Sequence, residues 1–183
     1  PRNSEMPELK KAPTDVRIYG QDANSYRDID ANLLQKAREQ AQKAQEAGLP
    51  SSLAAMIIPL VILEGNKKPF GVTKGQDVAA GRLPSKIRKS LTGKPDNFGR
   101  LKTDGEAIPD ASLALLADKH AYFTASGKDY TVADVLNRFN GEKDLEERTG
   151  KPYSGHVEAV LRDITENPKN SQVFELMKPF LGL

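Results

Sequence analysis

The sequence predicts a mainly helical fold, and three observations carry that prediction. Apolar residues recur three and four positions apart in several separate stretches, the spacing that gathers them on one face of a helix. Period-two alternation, the mark of a half-buried strand, is almost absent. Ten of the twelve residues from Ser52 to Leu63 are apolar, more than a helix wetted on one side carries, which predicts a buried helix near the middle of the chain. Its 183 residues are enough for a single core. The expected organisation is one helical domain over residues 26–183 behind an extended arm over residues 1–25.

Residues 1–25 are rich in Pro, Lys, Asn and Asp. Val16 and Ile18 make at most a short strand there, so the segment reads as an arm and not as core. From Asp28 to Ala47, residues Ile29, Leu33, Leu34, Ala37, Ala41 and Ala44 sit at helical spacing ahead of Gly48 and Pro50. They predict an amphipathic helix with a thin, alanine-rich apolar face. The central helix is expected just after Pro50 and through Leu63, with Ser51 or Ser52 placed to cap its start and Glu64 ending the apolar run. Gly65, Asn66 and a Lys-Lys-Pro break end it.

Asn66 to Pro109 holds six glycines and four prolines and reads as a long irregular loop, with room for a short helix over Leu83 to Leu91. Within it, Arg82, Lys86, Arg88, Lys89 and Lys94 follow one another with no acid between Asp77 and Asp96. Asp110 is placed to cap ASLALLADKHAYFTAS, whose Leu113, Leu116, His120 and Phe123 lie near one stripe. Thr131 and Asp134 have capping-box spacing ahead of VADVLNRFN, with Val132, Val135, Leu136 and Phe139 facing a core. Gly141 to Pro152 is a charged connection. Tyr153 to Thr165 repeats the helical pattern, and a last helix carries Val173, Phe174, Leu176, Met177, Phe180 and Leu181.

Composition excludes several kinds of chemistry. With no cysteine there is no disulfide, thiolate metal site or thiol nucleophile. His120 and His156 are too few and too far apart to suggest a metal cluster, and no cofactor is expected. A net charge of +2 makes no general case for nucleic acid, and the cations from Arg82 to Lys94 lack the interleaved aromatics of a nucleic-acid surface. That basic loop and the N-terminal arm remain candidate contacts for a protein partner. The run from Leu53 to Leu63 is too short to span a bilayer and contains Pro59. Neither a Walker nor a dinucleotide glycine spacing occurs in GVTKGQDVAAG.

One residue stands out for its place. Glu64 closes the most apolar helix, where the chain turns back towards water. A carboxyl at such a boundary is a candidate general acid, because desolvation favours its protonated form.

The order of features then resembles a known family. AGLPSSLAAMIIPLVILEGN resembles the opening of the lytic transglycosylases of the lysozyme-like superfamily, where a helix after a Gly-hydrophobe-Pro turn ends in a catalytic glutamate followed by Ser-Gly. Here Glu64-Gly65-Asn66 takes that place. IPDASLALLADKHAYF is similar to the helix after the family's D-P-x-x-N-I turn. VADVLNRFNGE resembles the helix closing with Ala-Tyr-Asn-Ala-Gly, with Phe139-Asn140-Gly141 in its place. RTGKPYSGHVEAVL resembles the Glu-Thr-x-x-Tyr-Val-x-x-Val segment through Tyr153, Val157 and Val160. The likeness covers roughly residues 47–164. The serine after the glutamate, the tyrosine at Phe139 and a Gly-Leu-Met-Gln segment between Phe70 and Pro109 have no counterpart.

The resemblance implies a lysozyme-like helical domain acting on peptidoglycan. Glu64 is then the catalytic residue, first giving its proton to the oxygen between N-acetylmuramic acid and N-acetylglucosamine. Its carboxylate next takes the proton of the muramyl 6-hydroxyl, closing an anhydro ring. Asn66 and Asn140 are expected to donate to acetamido groups, and Phe139 and Tyr153 to line the cleft. A hydrolase instead needs a second group to hold water, for which Asp77 and Asp96 are the acidic candidates. No n-region and h-region pair opens the chain, so delivery is expected through a phage particle or a dedicated secretion system. The alternative is a non-enzymatic helical interaction protein on a degenerate lysozyme-like scaffold, cytoplasmic or delivered as an effector or virion component. That reading expects Glu64 paired to Lys67 or Arg100 and the groove filled.

Overall fold

A computed structural model describes residues 15–22, 24–64, 77–92, 99–103, 109–141 and 143–181. Its first elements correct the arm. Strands β1 (Asp15–Tyr19) and β2 (Tyr26–Asp30) pair antiparallel, with Val16 opposite Ile29 and Tyr19 opposite Tyr26. Val16, Ile18 and Ile29 are buried, while Arg17 is exposed on the other face and bonds Asp28 at 3.2 Å. The two-residue period is real but only one strand long, too short to show against polar flanks. Residues 15–22, 24 and 25 therefore belong to the folded body.

Helix α1 (Ala31–Glu46) begins at Ala31 and not at Asp28, because Asp28 to Asp30 is spent on β2. The Asp30 side chain accepts from the Asn32 N–H at 2.7 Å and sets the start. Its buried side carries Leu34, Ala37, Ala41 and Ala44, the predicted alanine-rich face, together with Arg38 and Gln40.

The central apolar helix is two pieces, α2 (Ser51–Ala54) and α3 (Ile57–Glu64), with a turn at Ala55 and Met56. Pro59 accounts for the break. It has no N–H for the Ala55 carbonyl, and its ring clashes with that carbonyl in a continuous helix. Neither serine caps α2 through its side chain; Pro50 precedes it in an extended conformation. Ile57 to Ile62 are all buried, and α3 packs between α1 and the later helix α7 (Tyr153–Glu166).

The stretch from 77 to 103 is more ordered than the predicted loop. Strands β3 (Asp77–Ala79), β4 (Leu91–Thr92) and β5 (Arg100–Thr103) form an antiparallel sheet with β5 in the middle. Short 3₁₀ turns cover Ala80–Arg82 and Ser85–Ser90, the second where a short helix was expected. Val78, Leu83 and Ile87 are buried and anchor the segment. Asp118 holds it to the next helix: its carboxylate accepts from the Ala79 N–H at 3.1 Å and lies 3.5 Å from Arg82 and 3.8 Å from Lys119. Arg82 is thus turned onto an internal acid, which thins the basic patch. The side chains of Lys89 and Lys94 lie outside the described residues.

Helix α4 (Pro109–Ser126) starts before Asp110, and residues 111–118 are buried all round. It is a second core helix and not a one-stripe surface helix. Helix α5 (Val132–Asn140) has the predicted capping box and ends at Gly141 with φ 70°. A five-residue helix, α6 (Leu145–Thr149), interrupts the charged connection before α7. Helix α8 (Ser171–Met177) stops at a 3₁₀ turn, Lys178–Phe180, that contains Pro179. The described chain is mainly helical with two small sheets, and no described helix is long and apolar enough to cross a membrane.

Candidate active site

Three helix ends meet at one hollow. Helix α3 stays buried through Ile62 and becomes half-buried at Leu63 and Glu64, so its apolar face ends where its carboxylate begins. Helix α7 packs along α3 and starts at Tyr153, and α5 packs against α7 and finishes at Asn140. Leu63, Glu64, Asn140 and Tyr153 line a hollow of about 270 Å³. Leu145, Thr149 and His156 complete its described lining. A second hollow of about 190 Å³ adjoins it, sharing Asn140, Leu145 and Tyr153 and adding Asn137, Lys143, Glu146 and Pro152.

The contact that organises this place joins residues 89 positions apart in the chain. The Tyr153 hydroxyl donates to Glu64 Oε2 at 2.7 Å. Tyr153 is only 6% exposed. Burial first, and then the charge and hydrogen bond of the Glu64 carboxylate, push its phenol well above the ordinary 10.0. The tyrosine is therefore a fixed neutral donor, aimed at one oxygen of the carboxyl. Among the described residues it is this hydroxyl, and not a cation, that meets Glu64.

Local sequence explains how each group is held. Gly141 takes the left-handed conformation that closes α5 and presents Asn140 at the helix end. Asn137, one turn earlier, accepts from the Ser154 N–H at 2.8 Å and fixes the start of α7 to α5. The ring of Phe139 packs on that of Tyr153, centroids 6.3 Å apart and planes at 34°. Thr149 Oγ1 lies 2.7 Å from the Leu145 carbonyl, 3.0 Å from the Lys151 carbonyl and 2.7 Å from His156 Nε2.

The predicted site residues divide accordingly. Glu64, Asn140 and Tyr153 come together. Phe139, expected to line the cleft, lines neither hollow; it is buried against the ring of Tyr153, since its own ring has no hydroxyl to bring to water. Asn66, Lys67 and Asp96 lie outside the described residues. Asp77 is exposed on β3 and lines neither hollow. His156 and Thr149 were missed, since a lone histidine on a helix carries no signal until its neighbour across the turn is known. The other histidine, His120, pairs with the Tyr130 hydroxyl at 3.0 Å, and burial lowers its pKa.

Among the described residues no group of three or more His, Asp or Glu could hold a metal ion. What the arrangement offers is proton transfer: a half-buried carboxyl with one fixed donor, an amide and an imidazole around a space open to a ligand. No protein-family model, curated protein or solved structure matches the chain, so the reading of this site begins and ends with its own side chains.

Proposed function

We propose that the protein cleaves the glycan strand of peptidoglycan with Glu64 as its acid. The observation that carries this reading is the convergence of Glu64, Asn140 and Tyr153, picked out from separate motifs, on one hollow with Tyr153 bonded to Glu64. A glycosidic oxygen needs a proton as its bond to the sugar breaks, and a carboxyl beside the hollow is placed to give it. Tyr153 orients that carboxyl. With Oε2 tied to the phenol, the reacting proton is carried on Oε1, and a protonated carboxyl still accepts the phenol at its carbonyl oxygen. Asn140 at the rim supplies an amide for acetamido groups. In a lytic transglycosylase the same Glu64 then takes the 6-hydroxyl proton, so one carboxyl serves both steps.

Incubating purified peptidoglycan with the wild-type protein and with Glu64→Gln, followed by mass spectrometry of the muropeptides, tests the assignment. The wild type is expected to release fragments, and the variant to lose at least about 100-fold in rate, the scale of a general acid–base contribution. Equal release by both removes Glu64 from the mechanism.

A second reading is favoured by the same contact. A tyrosine and a glutamate that satisfy each other are also what a purely structural polar pair looks like at a core's edge. In that case the protein is a helical interaction module, and the wild type releases nothing from peptidoglycan.

A further inference from the structure

The hollow beside Glu64 holds a second group able to take a proton. Thr149 has one hydroxyl hydrogen, yet its oxygen sits within hydrogen-bond distance of two carbonyls and of His156 Nε2. Carbonyls only accept, and the Leu145 carbonyl at 2.7 Å is the nearer of the two. With the hydrogen given to Leu145, His156 Nε2 carries one of its own and donates it to Thr149, whereas a hydrogen given to Nε2 would leave both carbonyls facing an oxygen with none to offer. In a neutral imidazole this leaves Nδ1 as a bare acceptor, and Nδ1 has no hydrogen-bond partner among the described residues. Thr149 and His156 are seven residues apart across the α6–α7 junction, and both line the hollow that Glu64 lines. Glu64 is the one carboxylate among the described residues lining it, and Asp77 lies elsewhere.

We propose that His156, set in its Nε2–H form by Thr149, is the base that takes a proton from water at this site, making the cleavage hydrolytic. The inference rests on the glycan-cleaving reading above and deepens it. Glu64 gives its proton to the bridging oxygen as the bond from that oxygen to the anomeric carbon breaks. A water oxygen bonds to the anomeric carbon, and its proton passes to His156 Nδ1. Glu64 ends as carboxylate and His156 as imidazolium, and exchange with solvent returns each to its starting form. The product carries a reducing end, whereas Glu64 acting alone on the 6-hydroxyl leaves an anhydro end.

The end group is therefore the readout. Peptidoglycan digested by the wild type, Glu64→Gln, His156→Asn, Thr149→Val and Glu146→Gln is analysed for reducing and anhydro muropeptides. Glu146 is included because it lines the adjoining hollow. Wild type is expected to release reducing ends, and His156→Asn to lower that release about 100-fold while any anhydro product persists. Thr149→Val is expected to fall between them. A shift in product ratio is not what a merely destabilised fold gives. Long-range proton–nitrogen NMR of the two histidines checks the tautomer directly: Nε2–H at His156 in the wild type, and a mixed population in Thr149→Val. An unchanged product ratio in His156→Asn, loss of hydrolysis in Glu146→Gln instead, or an Nδ1–H tautomer at His156 each overturns the proposal and leaves glycan cleavage standing. Purely anhydro products from the wild type do the same. No release at all from the wild type overturns both.

Discussion

At the scale of single residues, Tyr153 and Glu64 make each other's chemistry. The phenol is buried where an anion would be poorly solvated, and its one good acceptor is already a carboxylate, so both influences keep it protonated. The consequence for stability has a definite sign. Above a pH of about 10 an unfolded chain loses this phenolic proton while the folded chain keeps it, so the unfolded state binds fewer protons and stability falls as pH rises. Below that pH the contribution is fully present. Tyr153 alone accounts for a slope of up to about 1.4 kcal/mol per pH unit. In Tyr153→Phe that part of the alkaline loss is expected to vanish, as measured by urea unfolding on either side of the tyrosine range. The same alkaline loss in both proteins would show that the folded phenol titrates normally.

At the scale of elements, the site depends on where helices stop. Helix α3 stops having buried neighbours at its last turn, and α5 stops because Gly141 adopts φ 70°. An added Cβ at Gly141 meets nothing within 4 Å, so substitution there is a test of backbone conformation alone. Gly141→Ala is expected to lower stability by about 1 kcal/mol, with Gly141→Asn closer to the wild type because asparagine tolerates that region. Thermal unfolding of both variants decides it, and an alanine variant as stable as the wild type would show that Gly141 is free to re-form. The helix break at Ala55 and Met56 belongs to this scale too. It follows from Pro59, which the sequence displays, yet an unbroken apolar run hides it from any argument based on periodicity.

At the scale of the whole molecule, the first described strand closes on the turn that follows α7. Asn170, 1% exposed, accepts from the Tyr19 N–H at 2.8 Å and donates to the Tyr19 and Asp163 carbonyls at 2.8 and 2.6 Å. One side chain thus acts as the hydrogen-bond partner of β1 and ties it to the end of α7, the helix that begins at the site. Asn170→Ala leaves those buried backbone groups without partners and is expected to cost about 3 kcal/mol. Hydrogen exchange is expected to show the Tyr19 amide losing protection before the α3 amides do. Unchanged protection at Tyr19 would mean that β2 alone holds the strand.

Much of this was legible beforehand, for reasons that are local. A ten-in-twelve apolar run must be buried wherever it lies, a Thr-x-x-Asp box opens α5 with only its own atoms, and a glutamate after such a run ends up at the core's edge. By themselves these residues determined a mainly helical chain and a carboxyl on the boundary. That strand β1 belongs to the core and not to an arm was not legible, because Val16 and Ile18 become core only when Ile29 and Asn170 arrive from elsewhere. Nor was Phe139's role, since its own stripe cannot say whether it faces a cleft or the back of Tyr153. Tertiary structure alone decided that Tyr153 meets Glu64 and that Thr149 meets His156, because a hydrogen bond is a matter of distance and angle, and chain spacing carries neither across 89 residues.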